Sequence, residues 1–377
     1  GRIGRVAVAQ ADEAQGRALG IGHHRHPRDV GEVAGLVEGL PSGRGHLIHR
    51  LVHVRDGEVA QPQRGLVGGV GVGDDAAMSH EPFPAFPYPA WRETKETLHR
   101  ICQIVGKIRM AASPARNHWW HVPLLVSARG LTTGPLRDGD TVFGIDLDLV
   151  THRAEVSTIW GDRAGFALPG KSVAQFHHTL ARTLGDLGVT TRVADPRPFD
   201  MADEIPFPDD DGHAAYEVSA DGTYWRLLAQ VDAILREAAA PFPGNQSPVC
   251  HYWHTFDIAV GRFSGRPAPA RESADPVTRE AYSHEVISCG FWFGDDRTDA
   301  PAFYSYTAPE PDGLAQRALA PPAAGWVDTG NGHLAVLGYD DARASGDVRA
   351  AALAFYASAF AAGYEAGGWD AVLSGGT

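Results

Sequence analysis

The sequence predicts an α+β protein: mostly antiparallel sheets with a few packing helices, arranged as two pseudo-repeated halves at about residues 115–190 and 248–365. Three observations predict it. Several short runs carry the alternating apolar pattern of half-buried strands, as in Thr141 to Leu149, where Phe143, Ile145, Leu147 and Leu149 alternate with Gly144, Asp146 and Asp148. Only a handful of longer stretches carry a helical period. Finally, His118-Trp119-Trp120-His121 followed by Arg129 recurs 133 residues later as His251-Tyr252-Trp253-His254 followed by Arg262. A second pair, Thr151-His152 before Trp160 and Ser283-His284 before Trp292, recurs at nearly the same offset. Such a pattern reads as a duplicated supersecondary unit whose copies bury their sheet faces together.

The elements follow in order. A proline-rich lead, Pro82 to Pro89, precedes a helix from about Trp91 to Arg109, with Trp91, Leu98, Ile101, Val105 and Ile108 on its apolar stripe. Ser113-Pro114 stops it. Strands are expected at His118 to Ala128, Thr141 to Leu149 and Ala154 to Trp160. A helix from about Ser172 to Leu187 ends at Gly188, and a short strand, Thr190 to Ala194, enters a Pro- and Asp-rich loop, Pro196 to Asp211. The second half opens with a helix over about Asp221 to Ala239, closed by Pro241 and Pro243. Strands are expected at Val249 to Phe263, broken near Thr255, then at Ser283 to Trp292 and Phe303 to Ala308, with weaker ones near Gly325 to Val327 and Leu334 to Leu337. A last helix covers about Val348 to Tyr364.

Residues Gly1 to Ala77 read differently. They contain no aromatic residue and no Lys, Cys, Met, Asn or Thr, and their nine arginines balance nine acids. Such a stretch cannot bury a packed core. The expectation is a spurious or disordered extension, with the folded protein beginning at Met78.

Composition excludes several function classes. The formal net charge of −13 opposes a phosphate-backbone scaffold and an anionic lipid surface. No apolar run is long enough to cross a bilayer, and no leader pattern is visible. Three sparse cysteines, Cys102, Cys250 and Cys289, suit inert core thiols in a reducing, cytoplasmic setting. No P-loop, dinucleotide fingerprint or nucleophile elbow occurs after Ala77, so no cofactor is implied.

Taken together, Gln103 to Arg109 (QIVGKIR), Asn117 to Trp120 (NHWW), Ser127 to Leu131 (SARGL), Ser247-Pro248-Val249, Arg262 to Arg266 (RFSGR), Tyr282 to Ser288 (YSHEVIS) and Gly290-Phe291-Trp292 resemble the bacterial domain-of-unknown-function family 5996 from about Pro87 to Trp369. The resemblance implies a start near Met78 and no established activity. His254 stands where it implies a small residue, and Phe293 where it implies proline.

The candidate site centres on Arg262, Ser264 and Arg266, two guanidiniums and a hydroxyl around Gly265. Arginine forks take a carboxylate or phosphate with paired hydrogen bonds; the competing reading is a turn whose arginines pair with surface acids. Arg129 is the counterpart in the first half. Glu285 shares a strand face with Ile287 and Cys289, so it needs a cationic partner, Arg262 or Arg129. That pair is either structural or an acid–base group beside the anion, with His284 as the other proton carrier. His121, Trp120 and Trp253 line the ligand or the core between the halves. No metal is assigned, because on a strand His118 and His121 point to opposite sides and cannot converge. Asp146 and Asp148 read as the solvated side of a sheet. The resulting expectation is an enzyme acting on a small anionic metabolite, with Arg262 and Glu285 together in a closed pocket. The alternative is a non-catalytic ligand-binding or assembly module.

Overall fold

The computed structural model describes residues 81–270, 276–296 and 298–374. The expectation for Gly1 to Ala77 falls outside them.

The first helix, α1 (Arg92–Ala112), starts one residue after its predicted beginning and runs one turn further. It is buried nearly all round, far beyond the predicted apolar stripe. Several of its polar side chains are tied down individually. Arg100 reaches Glu96 at 2.9 Å and Asp203 at 2.6 Å, Gln103 donates to the Phe199 carbonyl at 2.9 Å, and Lys107 donates to the Asp195 carbonyl at 3.0 Å. Those bonds lay the 195–211 loop along the helix.

Six strands then form an antiparallel sheet: β1 (Leu125–Val126), β2 (Gly130–Thr132), β3 (Leu136–Asp138), β4 (Thr141–Asp148), β5 (Arg153–Thr158) and β6 (Arg163–Ala167). Its order is β1-β2-β4-β5-β6, with β3 also on β4. Helix α2 (Val173–Asp186) follows, opened by a capping box in which Ser172 and Gln175 each bond the other's backbone N–H.

The second half also opens with a helix and ends in helices, with a further short helix between its strands. Helix α3 (Val218–Ala239) precedes β7 (Asn245–Gln246), β8 (Cys250–Tyr252), β9 (Asp257–Pro267), helix α4 (Pro276–Ala281), β10 (His284–Trp292), β11 (Ala302–Ala308), β12 (Gly325–Asp328) and β13 (His333–Gly338). Helices α5 (Tyr339–Ala344) and α6 (Val348–Ala366) close the chain. This seven-stranded sheet has the order β12-β13-β11-β10-β9-β7, with β8 also on β9. In both sheets a long strand carries two short strands end to end on one edge and a long hairpin partner on the other: β4 with β2, β3 and β5, and β9 with β7, β8 and β10. The halves therefore correspond as sheets. The short motifs that suggested them do not occupy matching places, since His118 to His121 precede β1 while His251 to His254 run through β8 into its turn. A backbone bridge between Leu124 and His251 joins the two sheets.

Two predicted strands are corrected. His118 to Ala128 is not extended. Asn117–Trp119 forms a 3-10 turn in which His118 and Trp119 are both left-handed, at φ 54° and 59°, and only Leu125–Val126 forms a strand, next to the single bridge at Leu124. The aromatic rings account for the turn: His118 sits 4.2 Å from the Phe263 ring and Trp120 5.6 Å from it, so side-chain packing overrides strand propensity. Thr190 to Ala194 is coil, because the Asp138 carboxylate takes the backbone N–H groups of Thr190 and Thr191 that a neighbouring strand would need.

Candidate functional site

Residues paired across a ladder share a face, which divides the second sheet cleanly. One face presents Ile258, Val260 and Arg262 beside Phe291, Cys289 and Ile287. It lies under α3 and α6, where Tyr356 donates to the Gly290 carbonyl at 2.8 Å. The other face presents Asp257, Ala259, Gly261 and Phe263 beside Trp292, Gly290, Ser288 and Val286, with Tyr304 and Tyr306 on the next strand. Its centre is built of small residues. Gly290 is required there, since a Cβ would lie 2.4 Å from the Tyr304 ring.

This division separates the predicted site residues. Arg262, Ser264, Arg266 and Glu285 lie on the helix side. Arg262 is buried, donates to the Ala238 carbonyl at 2.5 Å and stacks 4.6 Å over Phe360. It therefore anchors the end of α3. Glu285 pairs not with Arg262 or Arg129 but with Arg266, at 2.6 Å, and accepts from the Ser264 hydroxyl at 2.9 Å. Arg266 also donates to the Gly367 and Gly368 carbonyls, a cation at the end of α6. A β-bulge between His284 and Val286 brings Glu285 within reach of Arg266. Arg129 is held by Asp148 at 2.6 Å, and Asp148 also accepts from the N–H groups of Val150 and Thr151. That bonding, led by burial in one direction and the Arg129 hydrogen bond in the other, leaves the Asp148 carboxyl below its usual range. Every predicted clamp arginine thus has a protein acceptor.

His284 and Trp120 gather on the other side, around His118, while His121 lies with Trp119 and Arg116. His284 meets His118 edge-on at 5.4 Å, and His118 packs on Trp120 and Phe263. Trp253 belongs to neither group. It fills the β8–β9 turn against α1 and donates to the Val122 carbonyl at 3.0 Å. The three cysteines are buried and free, and burial pushes all three thiols up, Cys250 to about 12.

Two groups of residues emerge that sequence reasoning did not assemble, His121 alone among them having been a candidate. The first is a set of unsatisfied donors where α1 ends. Arg109 is 9% exposed, yet its guanidinium makes no hydrogen bond or ion pair among the described residues, and its Nε is a buried donor with no acceptor. Its neighbours are cationic or donating. Arg116 lies close enough to pull the Arg109 pKa down further after burial, which is the larger cause. His121, 7% exposed, accepts from the Arg116 N–H through Nδ1 at 3.2 Å, so Nε2 carries the proton and is a donor. Burial, and then Arg109, lower the His121 pKa. Trp119 stacks on His121 at 5.3 Å, with its own indole N–H buried and unpaired. Gly134 borders the Arg109 guanidinium.

The second group is Asp257 on the small-residue face. It is buried without a cationic partner and accepts from Thr255 at 2.5 Å and from the Tyr304 hydroxyl. Burial raises its pKa. The Tyr304 and Tyr306 rings stack at 6.4 Å beside it. Among the described residues no group of three His, Cys, Asp or Glu side chains could hold a metal ion.

A family model, described as a family of unknown function (DUF5996), matches residues 83–374. The chain belongs to this family. Every residue of both groups lies inside the DUF5996 span, as do the resembling motifs quoted above. Arg109 closes the QIVGKIR motif and Trp119 lies in NHWW, so two of the four donors stood in motifs already legible. Asp257 and Tyr304 carried no such signal. No curated protein and no solved structure matches the chain. Among the described residues no helix is long and apolar enough to cross a membrane.

Proposed function

We propose that this protein binds a small anionic metabolite, a carboxylate or phosphate, through Arg109, with His121, Trp119 and Arg116 as further donors. One observation carries the reading: Arg109 is largely buried, and its Nε is a buried donor with no acceptor among the described residues. Leaving such a donor unpaired costs about 1–3 kcal/mol, which a bound anion offsets. The anion clamp expected at Arg262 thus moves to the end of α1. Asp257 with Tyr304 supports the enzymatic form of the reading, since a buried carboxyl that accepts from a tyrosine hydroxyl, with its pKa raised by burial, is a group suited to proton transfer. That form supersedes Glu285 with His284, which the sheet places on opposite faces. The non-catalytic assembly reading draws on Ile159 and Trp160, 54% and 66% exposed beside each other after β5.

The test is thermal unfolding of the full chain with and without inorganic phosphate and succinate, for wild type, Arg109→Met and Arg266→Ala. An anion at a hundredfold excess over its dissociation constant stabilises by about 2.7 kcal/mol. The expected result is stabilisation of wild type and Arg266→Ala by one of the anions, absent in Arg109→Met. The methionine variant without anion is expected to be at least as stable as wild type, because it removes an unpaired buried charge. If it is less stable and the anion response persists, Arg109 is structural and the reading fails.

A further inference from the structure

A second site stands apart from the donors at Arg109. His152 closes the turn between β4 and β5 with a left-handed backbone, φ 54°, a conformation uncommon outside glycine but one that histidine, like Asn and Asp, adopts more readily than most residues. Its Nδ1 lies 2.9 Å from Oδ2 of Asp221 and 3.2 Å from the Tyr216 hydroxyl. Asp221 belongs to the first turn of α3 and is fully buried, and its other oxygen, Oδ1, has no hydrogen-bond partner. A purely structural tie needs one carboxylate oxygen. Burying a second one unsatisfied carries its desolvation cost with nothing in return. Burial raises the Asp221 pKa and its hydrogen bonds to His152 and Tyr216 oppose that rise; the carboxyl orients the imidazole as Nδ1–H and leaves Nε2 as the proton acceptor. The His152 side chain keeps 16% of its surface accessible, and its Nε2 makes no hydrogen bond among the described residues. The preceding residues of the same turn rest on Asp148, which also holds Arg129, a guanidinium left 55% exposed.

We infer that His152 and Asp221 form a general-base dyad that hydrolyses small acyl esters. In the step, water oxygen bonds to the acyl carbon while its proton passes to His152 Nε2. The bond from the acyl carbon to the leaving oxygen then breaks, and the leaving group departs as its anion. Asp221 stabilises the imidazolium until the proton returns to solvent. No metal or co-reactant enters. The inference is independent of the anion reading at Arg109.

The test is hydrolysis of 4-nitrophenyl acetate by the full chain, followed as released nitrophenolate across pH 5 to 9. Wild type is expected to exceed buffer, with a rate that rises as an imidazole loses its proton. His152→Gln is expected to fall to background. Asp221→Asn, which keeps the shape but reverses the imidazole tautomer, is expected to fall at least tenfold and to lose that pH profile. Arg349→Ala, which removes an exposed pair with Glu237, should leave the rate unchanged. Equal rates in wild type and His152→Gln would overturn the inference. Should either dyad variant fail to fold, wild type is carbethoxylated with diethylpyrocarbonate and the modified histidines are mapped by mass spectrometry. Hydrolysis lost in step with His152 modification upholds the dyad, and hydrolysis surviving full His152 modification refutes it.

Discussion

Replacing Gly106 by alanine sets two effects against each other. Gly106 lies inside α1, where alanine is favoured over glycine by about 1 kcal/mol through backbone entropy. From propensity alone the variant is more stable. The structure argues the opposite. A Cβ at this position would stand 2.3 Å from two atoms of the Trp253 ring, far inside van der Waals contact. Trp253 has little freedom to yield, being 5% exposed and held by its indole bond to the Val122 carbonyl at 3.0 Å. Overpacking of this kind costs about 1–3 kcal/mol, and displacing the indole bond adds about 1 kcal/mol. Set against the helical gain, the net loss is about 1–3 kcal/mol. Urea unfolding of wild type, Gly106→Ala, Trp253→Phe and the double variant measures it. The coupling should show as a double variant less damaged than the sum of the singles. A Gly106→Ala protein as stable as wild type would refute the packing argument and return the position to helix propensity.

Two further outcomes follow from the site description. Arg262→Ala should cost about 2–4 kcal/mol in urea unfolding, from a buried charge-assisted bond and a desolvated cation–π contact, whereas Arg266→Ala should cost about 1 kcal/mol or less because its pair with Glu285 is partly solvated; equal losses would mean that Arg262 is no anchor. Burial pushes His251 down to about 3 and His254 to about 4, so below the ordinary histidine value near 6.5 the unfolded chain takes up protons that the folded chain refuses. Stability should therefore fall as pH drops from about 6.5 toward 3, by up to about 1.4 kcal/mol per pH unit for each such histidine. His251→Asn, though less stable at pH 7 for want of its bond to Tyr224, should show a shallower slope between pH 6 and 5; an unchanged slope would mean that His251 is protonated in the fold.

The two candidate centres share a physical logic that the expected one lacks. At Arg262, Arg266 and Arg129, each guanidinium already faces a carbonyl or carboxylate, so an incoming anion must displace a partner. At Arg109 nothing has to be displaced. At His152 the partner itself, Asp221, is under-used. Ligand sites are expected where polar groups are buried and unsatisfied rather than where charges are merely concentrated.

Local pattern determined much of this protein. The alternation over Thr141 to Leu149, the stripe from Leu98 to Ile108 and the break near Thr255 each depend on neighbours in sequence, and all reappear as elements with shifted ends. Alternation also placed His284 and Glu285 on opposite faces. Tertiary structure decided the rest. His118 to His121 carry the side chains of a strand, yet two of them turn left-handed because their rings have a better place against Phe263. Glu285 found Arg266 because a bulge and the end of α6 meet there. Arg109 reads in sequence as an ordinary cation in the last turn of a helix, well placed for the helix dipole. Its isolation arises only when α1, the 116–121 turn and β8 close around it and bring no carboxylate. Sequence records which groups a chain owns, but whether a buried charge has a partner is a property of distances between segments far apart along it.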